Sequence, residues 1–171
     1  MVRSIGLLVI GATLLVGNLA TLTAAPLSFN VTADKKRFDV DRSATVSTNV
    51  SKEKWGYSVT IENKTFKPLE GIEVQYRQFK LDDTRKGPGK LKGVAGSKKI
   101  EKLGNGEKFK FDTEPVSLEK EELKAGWTAG DGSSGKVKDV LSGIWLRVVK
   151  DGETVYETQI PSDLKNKAKW E

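Results

Sequence analysis

Apolar and polar residues alternate with a period of two along much of this chain, the spacing that sends successive side chains to opposite faces of a β-strand. In "KWGYSVTIENK", Trp55, Tyr57, Val59 and Ile61 fall on one face and Gly56, Ser58, Thr60 and Glu62 on the other. A half-buried strand follows, with Trp55 opening its inward face. After "NKTFKPLEG", punctuated by Asn63, Pro68 and Gly71, the run "IEVQYRQFKL" repeats the pattern with Ile72, Val74 and Tyr76 against Glu73, Gln75 and Arg77. "KKIEKL" and "EKFKFDTEP" predict two shorter strands joined by a tight turn at Gly104, Asn105 and Gly106. An earlier strand is expected within "RFDVDRSATVSTNV", with Val46 and Val50 pointing inward. The glycine- and charge-rich stretch 82–96 reads as a mobile loop, and "AGWTAGDGSSGKVK" as a second loop. "SLEKEELK" fits a helical turn or a strand equally well.

The densest β-branched and aromatic segment is "SGIWLRVVKDGETVYETQIP", a hairpin whose register can be tested against its own side chains. A two-residue Asp151-Gly152 turn, the commonest connection, would put Glu157 on the face of Ile144, Leu146 and Val148 and split the apolar residues between faces. A three-residue Lys150-Asp151-Gly152 loop, with Gly152 left-handed in a bulge, shifts the pairing by one. Ile144, Leu146, Val148, Tyr156 and Ile160 then share one face, and Trp145, Arg147, Val149, Val155 and Glu157 the other. A buried unpaired carboxylate costs several kcal/mol, roughly more than one aromatic side chain gains by burial, so the bulged register is expected. Trp145 and Arg147 thus point away from the core. If the strand over Ile72 to Lys80 neighbours this hairpin, Gln75, Arg77 and Phe79 join them outside. Trp145, Arg147, Glu157, Arg77 and Phe79 are therefore the candidate binding residues, a planar amphipathic set suited to stacking on sugars or anchoring a peptide. The competing outcome is that Trp145 is covered by its own chain, by the loop of Trp127 or by the tail "LKNKAKWE", with Arg147 stacked on it or paired to Glu157.

About seven short strands separated by turn signals predict an all-β fold, a single immunoglobulin-like antiparallel β-sandwich. On "WGYSVTIENKTFKPLEGIEVQYR" and "LSGIWLRVVKDGETVYE", the chain resembles the immunoglobulin-like or fibronectin-like sandwich modules of small secreted bacterial proteins of unassigned function. The resemblance spans roughly residues 38–161. The paired cysteines of antibody domains are missing, so the resemblance implies architecture and brings no functional residue with it.

Ahead of this domain, residues 5–25 form an apolar run behind Arg3 that closes on small residues before Pro26, with Thr23 and Ala25 in a small-x-small arrangement. This predicts a signal peptide over 1–25, an N-terminal extension over 26–36 and a sandwich domain over 37–171, in a secreted or periplasmic protein with no stable membrane span after cleavage. An uncleaved anchor is the alternative, since about 20 apolar residues can cross a bilayer. The 171 residues include no cysteine, so lipid attachment to a cysteine is excluded.

Composition narrows the chemistry. With neither Cys nor His in the sequence, no disulfide, thiolate nucleophile, imidazole base or His/Cys metal site can form. The net charge is +6, and the lysines mostly alternate with glutamates instead of gathering in a stripe, so no nucleic-acid partner is expected. The pairs Glu121/Glu122 and Asp82/Asp83 are adjacent residues, which a strand sends to opposite faces, and "DDT" and "DGSSG" lack the carboxylate spacing of a calcium loop. No catalytic residue, metal or cofactor is expected. Two functions stay open: a non-catalytic module that meets an envelope or secreted protein through a surface or sheet edge, and a binder of an anionic envelope polymer or carbohydrate through outward aromatics and lysines.

Overall fold

The structure, a computed structural model, describes residues 28–83, 89–130, 132 and 135–170; the expected signal peptide at 1–25 lies outside them. Nine strands are described: β1 (Phe29–Ala44), β2 (Thr48–Asn63), β3 (Leu69–Asp82), β4 (Lys90–Leu103), β5 (Lys108–Asp112), β6 (Val116–Leu123), β7 (Lys136–Lys138), β8 (Val140–Lys150) and β9 (Glu153–Ile160), followed by a 3-10 turn at Ser162–Asn166. They make two antiparallel sheets. The first has the order β1-β2-β6-β7, with β5 also on β2, and the second the order β4-β3-β8-β9. Strand β2 is long enough to carry two partners on one edge. Its Ser58–Glu62 half pairs with β5 and its Thr48–Trp55 half with β6.

The inward faces read from the sequence meet between the sheets. Tyr57, Val59 and Ile61 of β2 pack against Ile72, Val74 and Tyr76 of β3 and Ile144, Leu146 and Val148 of β8. Burying each such side chain is worth about 1.5–3 kcal/mol, which is what holds two otherwise solvated sheets together. Two polar knots are buried with them. Where β5 gives way to β6, the Tyr57 backbone N–H donates to Thr113 Oγ1, and the Thr113 hydroxyl donates to Gln78 Oε1. Gln78 Nε2 donates to the Glu114 carbonyl, and the Glu114 N–H donates to the Tyr76 hydroxyl. At the end of β2, the Asn63 side chain joins the β2–β3 turn to the chain leaving β4.

Several expectations need correction. Residues 29–36, read as part of an extension, form the first half of β1, where Phe29 is buried and Val31 and Ala33 pack on the core. Val46 sits in the β1–β2 turn with 79% of its surface exposed, because β1 and β2 form a hairpin where one strand was expected. Trp55 is half-buried at the rim of the core, with its indole N–H donating to Glu53 and Arg37 5.9 Å over the ring. Much of the stretch read as a mobile loop at 82–96 belongs to β4, paired with β3 from Asp82↔Lys90 to Leu69↔Leu103. The Gly104–Gly106 turn crosses between sheets, since β4 and β5 lie in different ones. "SLEKEELK" supplies most of β6, and the second loop ends in β7.

The hairpin satisfies both constraints that seemed to compete. Asp151 and Gly152 form a two-residue turn with φ of 53° and 83°, the positive pair that a type I′ turn requires. The register then shifts between Val149↔Thr154 and Val148↔Tyr156, so the extra residue is Val155 inside β9 and not Lys150 in the loop. Beyond that bulge Arg147 faces Glu157 and Ile144 faces Ile160, and the faces segregate as expected. Val155 is the exception, packing on the core. Gly152→Val should cost about 1–2 kcal/mol by denaturation, and more than Asp151→Ala, because a β-branched residue resists positive φ. Equal costs would contradict this turn geometry.

Candidate functional site

The five candidate residues come together on the outer face of the second sheet. Arg77 pairs with Trp145 across β3 and β8, Arg147 with Glu157 across β8 and β9, and Phe79 with Gly143. Arg147 Nε donates to Glu157 Oε2 at 2.6 Å. The set is assembled but not open. Trp145 retains 9% of its surface, packed with Phe79 and with Leu164 from the 3-10 turn, and Leu91, Ala168 and Trp170 lean on the same cluster.

The cover is the C-terminal tail, the second of the two covers open to Trp145. Trp170 meets Trp145 edge to face, ring centroids 5.9 Å apart, and its carbonyl accepts a hydrogen bond from Arg77 Nη1. Arg147 lies 4.1 Å over the Trp170 ring and 5.8 Å from that of Trp145, so its guanidinium is held by two indoles and one carboxylate. Gly143 permits the tail's approach: a Cβ there would come within 2.7 Å of the Ile160 carbonyl and 3.0 Å of Leu164. Trp127, the other cover considered, is 48% exposed. Leu164 and Trp170 belong to the tail that the sequence offers as a cover, though the pattern does not single them out as the contacts. Their signal was two large apolar side chains in an otherwise lysine-rich tail.

The acidic pairs have structural partners. Asp82 takes ion pairs from Lys80 and Lys92, and Lys80 also reaches Asp139. Asp139 in turn accepts the backbone N–H groups of Asp83 and Glu119, and Asp83 accepts that of Lys138. This knot fixes where β8 starts against the end of β3. Burial alone would raise the Asp82 carboxyl, but hydrogen bonds from Lys80 and Lys92 and their charges outweigh it and hold it below its ordinary value. Protons therefore bind the unfolded chain first. This contribution is complete above the unfolded carboxylate pKa of about 3.9 and is lost as pH falls through the lowered folded value. Acid titration of stability should show that loss, and Lys80→Met should reduce it; an unchanged acid limb would contradict the assignment. Glu121 and Glu122, as adjacent residues of β6, are sent to opposite faces of the first sheet. Burial pushes the Tyr57 hydroxyl well up from its usual range.

Among the described residues, no group of acidic side chains is placed to hold a metal ion, and no helix is long and apolar enough to cross a membrane. An open groove of about 340 Å³ lies at one end of the sandwich, lined by Trp55, Leu118, Leu141 and the lysines Lys35, Lys120, Lys136 and Lys138, with Glu53, Glu119 and Asp139 beside them.

No family model and no curated protein matches this chain. Two solved structures are similar in outline. One, described as Northeast Structural Genomics Consortium target SoR45, is 13% identical over 73% of this chain and 89% of its own, with a TM-score of 0.35. The other, a crystal structure from Akkermansia muciniphila, is 9% identical over 77% of this chain and 71% of its own, with a TM-score of 0.29. Similarity at this level assigns no function, and what stands from sequence and coordinates together is an all-β sandwich of two antiparallel sheets.

Proposed function

We propose that this protein is a non-catalytic secreted or periplasmic module that acts by contact with another protein through a free sheet edge. The strand order, with β1-β2 and the β5/β6 pair against β4-β3-β8-β9, supports an immunoglobulin-like or fibronectin-like reading of the sandwich. One observation carries the functional reading. The outward aromatic face, the obvious recognition patch, is occupied by the protein's own tail, while β1 and β4, of 16 and 14 residues, each have one edge with no partner strand among the described residues. An edge strand presents unpaired N–H and C=O groups to any extended segment that can line up with it.

A second reading is binding of an anionic envelope polymer or carbohydrate, favoured by the groove that sets Trp55 among four lysines. Salt separates the two. Exported protein recovered with its partner should keep that partner in high salt if the contact is a hydrogen-bonded strand, and lose it progressively if scattered lysines hold a polymer. Retention in high salt that disappears on protease treatment of the partner supports the edge contact. Loss with salt and resistance to protease would replace it with the polymer reading.

A further inference from the structure

The two long edges differ in a way that selects one of them. Strand β1 carries both signs of charge, Asp34, Asp39 and Asp41 beside Lys35, Lys36, Arg37 and Arg42, and its register shifts at Arg37/Asp39. A bulge turns an edge away from any added strand, whereas lysines, the charge most used to protect edges, repel another basic strand and still admit an acidic one. Strand β4 runs its whole length on β3 without a register shift. Its charges are of nearly one sign: Lys90, Lys92, Lys98, Lys99 and Lys102 against Glu101. Between the lysines lies an uncharged run of small residues, Gly93 to Ser97.

The two glycines in that run are required by what lies across them. A Cβ at Gly96 would overlap the Tyr76 hydroxyl, and one at Gly93 would come within 2.6 Å of Arg77 Nε. Side chains from β3 thus fill the space over both faces of β4 at these positions, and its own outer edge is left as nearly bare backbone. Lys92 and Lys102 are taken by Asp82 and Glu70, whereas Lys98 and Lys99 have no ion pair among the described residues. The lysines also settle what cannot sit there. A second copy of β4 would bring like charges together, so the positive flanks that oppose self-pairing favour a strand of the opposite sign.

We infer that β4 is a docking strand for an extended acidic segment of a partner protein, which adds to the second sheet beside Gly93–Ser97 and places its carboxylates against Lys98 and Lys99. This rests on the edge-contact reading and names the edge and the chemistry of the partner.

The test uses the whole exported protein and a short synthetic peptide of valine and threonine with two adjacent glutamates, one for each face of the added strand because Lys98 and Lys99 also point to opposite faces, with a lysine-for-glutamate peptide as control. Backbone hydrogen exchange is followed residue by residue. In the free protein every second amide of β4 points away from β3 and exchanges rapidly. The acidic peptide should protect those amides and the lysine peptide should not. Reversing Lys98→Glu and Lys99→Glu together should weaken acidic-peptide binding by about tenfold and invert the preference. Proline at Val94 and at Ala95 supplies the backbone control. Of two adjacent residues one points outward, and the variant that keeps its stability should lose the peptide. Protection on β1 instead of β4 would overturn this inference while leaving an edge contact in place. Equal protection by both peptides would overturn the acidic assignment, and no protection at any edge amide would overturn the docking strand.

Discussion

Trp145→Ala should lower the free energy of unfolding by about 3 kcal/mol, the range for emptying a large aromatic site, and it should do so without any ligand present. The loss is that of a packed cluster. Trp145 is covered by Leu164 and Trp170, lies against Phe79 and lends a ring to Arg147. Removing the indole takes away the ring on which Leu164 and Trp170 close and leaves the tail only Phe79 and the two arginines, so the tail should detach far more readily. Trp170→Ala should show the same detachment at lower cost, because Trp170 is only partly buried at the end of the chain. Chemical denaturation read by the remaining tryptophans measures both. A shift below about 1 kcal/mol for Trp145→Ala would mean that the tail does not cover this face in solution.

Asn63→Ala is expected to cost a similar amount, about 3 kcal/mol, through hydrogen bonds instead of packing. Asn63 has no exposed surface, and its Nδ2 faces the carbonyls of Lys67, Leu103 and Gly104 at 3.0–3.1 Å. Its Oδ1 accepts both the backbone N–H and the hydroxyl of Thr65. Each buried carbonyl left without a donor costs about 1–3 kcal/mol. Asn63→Asp keeps shape and acceptor but turns an oxygen toward three oxygens, so it should be worse than alanine at neutral pH. A mild Asn63→Asp variant would show that this corner is open to water.

The legible parts of the fold were those where one face is buried and the other is not. Tyr57, Val59 and Ile61 in β2 and the segregated faces of β8 and β9 announced themselves because a one-residue slip would bury Glu157 or expose Leu146. The hairpin departs from the three-residue loop that its side-chain pattern predicts, because a bulge at Val155 keeps the favoured turn and the favoured faces together. Strand β4 left no such signature. Most of its side chains are exposed, its centre is glycine-rich, and what makes it a strand is thirteen residues of pairing with β3 and the side chains of Tyr76 and Arg77 lying across it. The binding candidates were placed correctly on one outer face, but their accessibility depended on a tail whose docking is a tertiary event that no local pattern encodes.

Site-specific photo-cross-linking in the producing cell tests the edge contact most directly. A photoreactive side chain is placed at Ser97 on β4, at Asp34 on β1 and at Gln159 beside the tail-covered face. The account predicts adducts to another polypeptide from Ser97, with few or none from Gln159. Adducts from Gln159 alone would put the recognition surface back on the Trp145 face and contradict it.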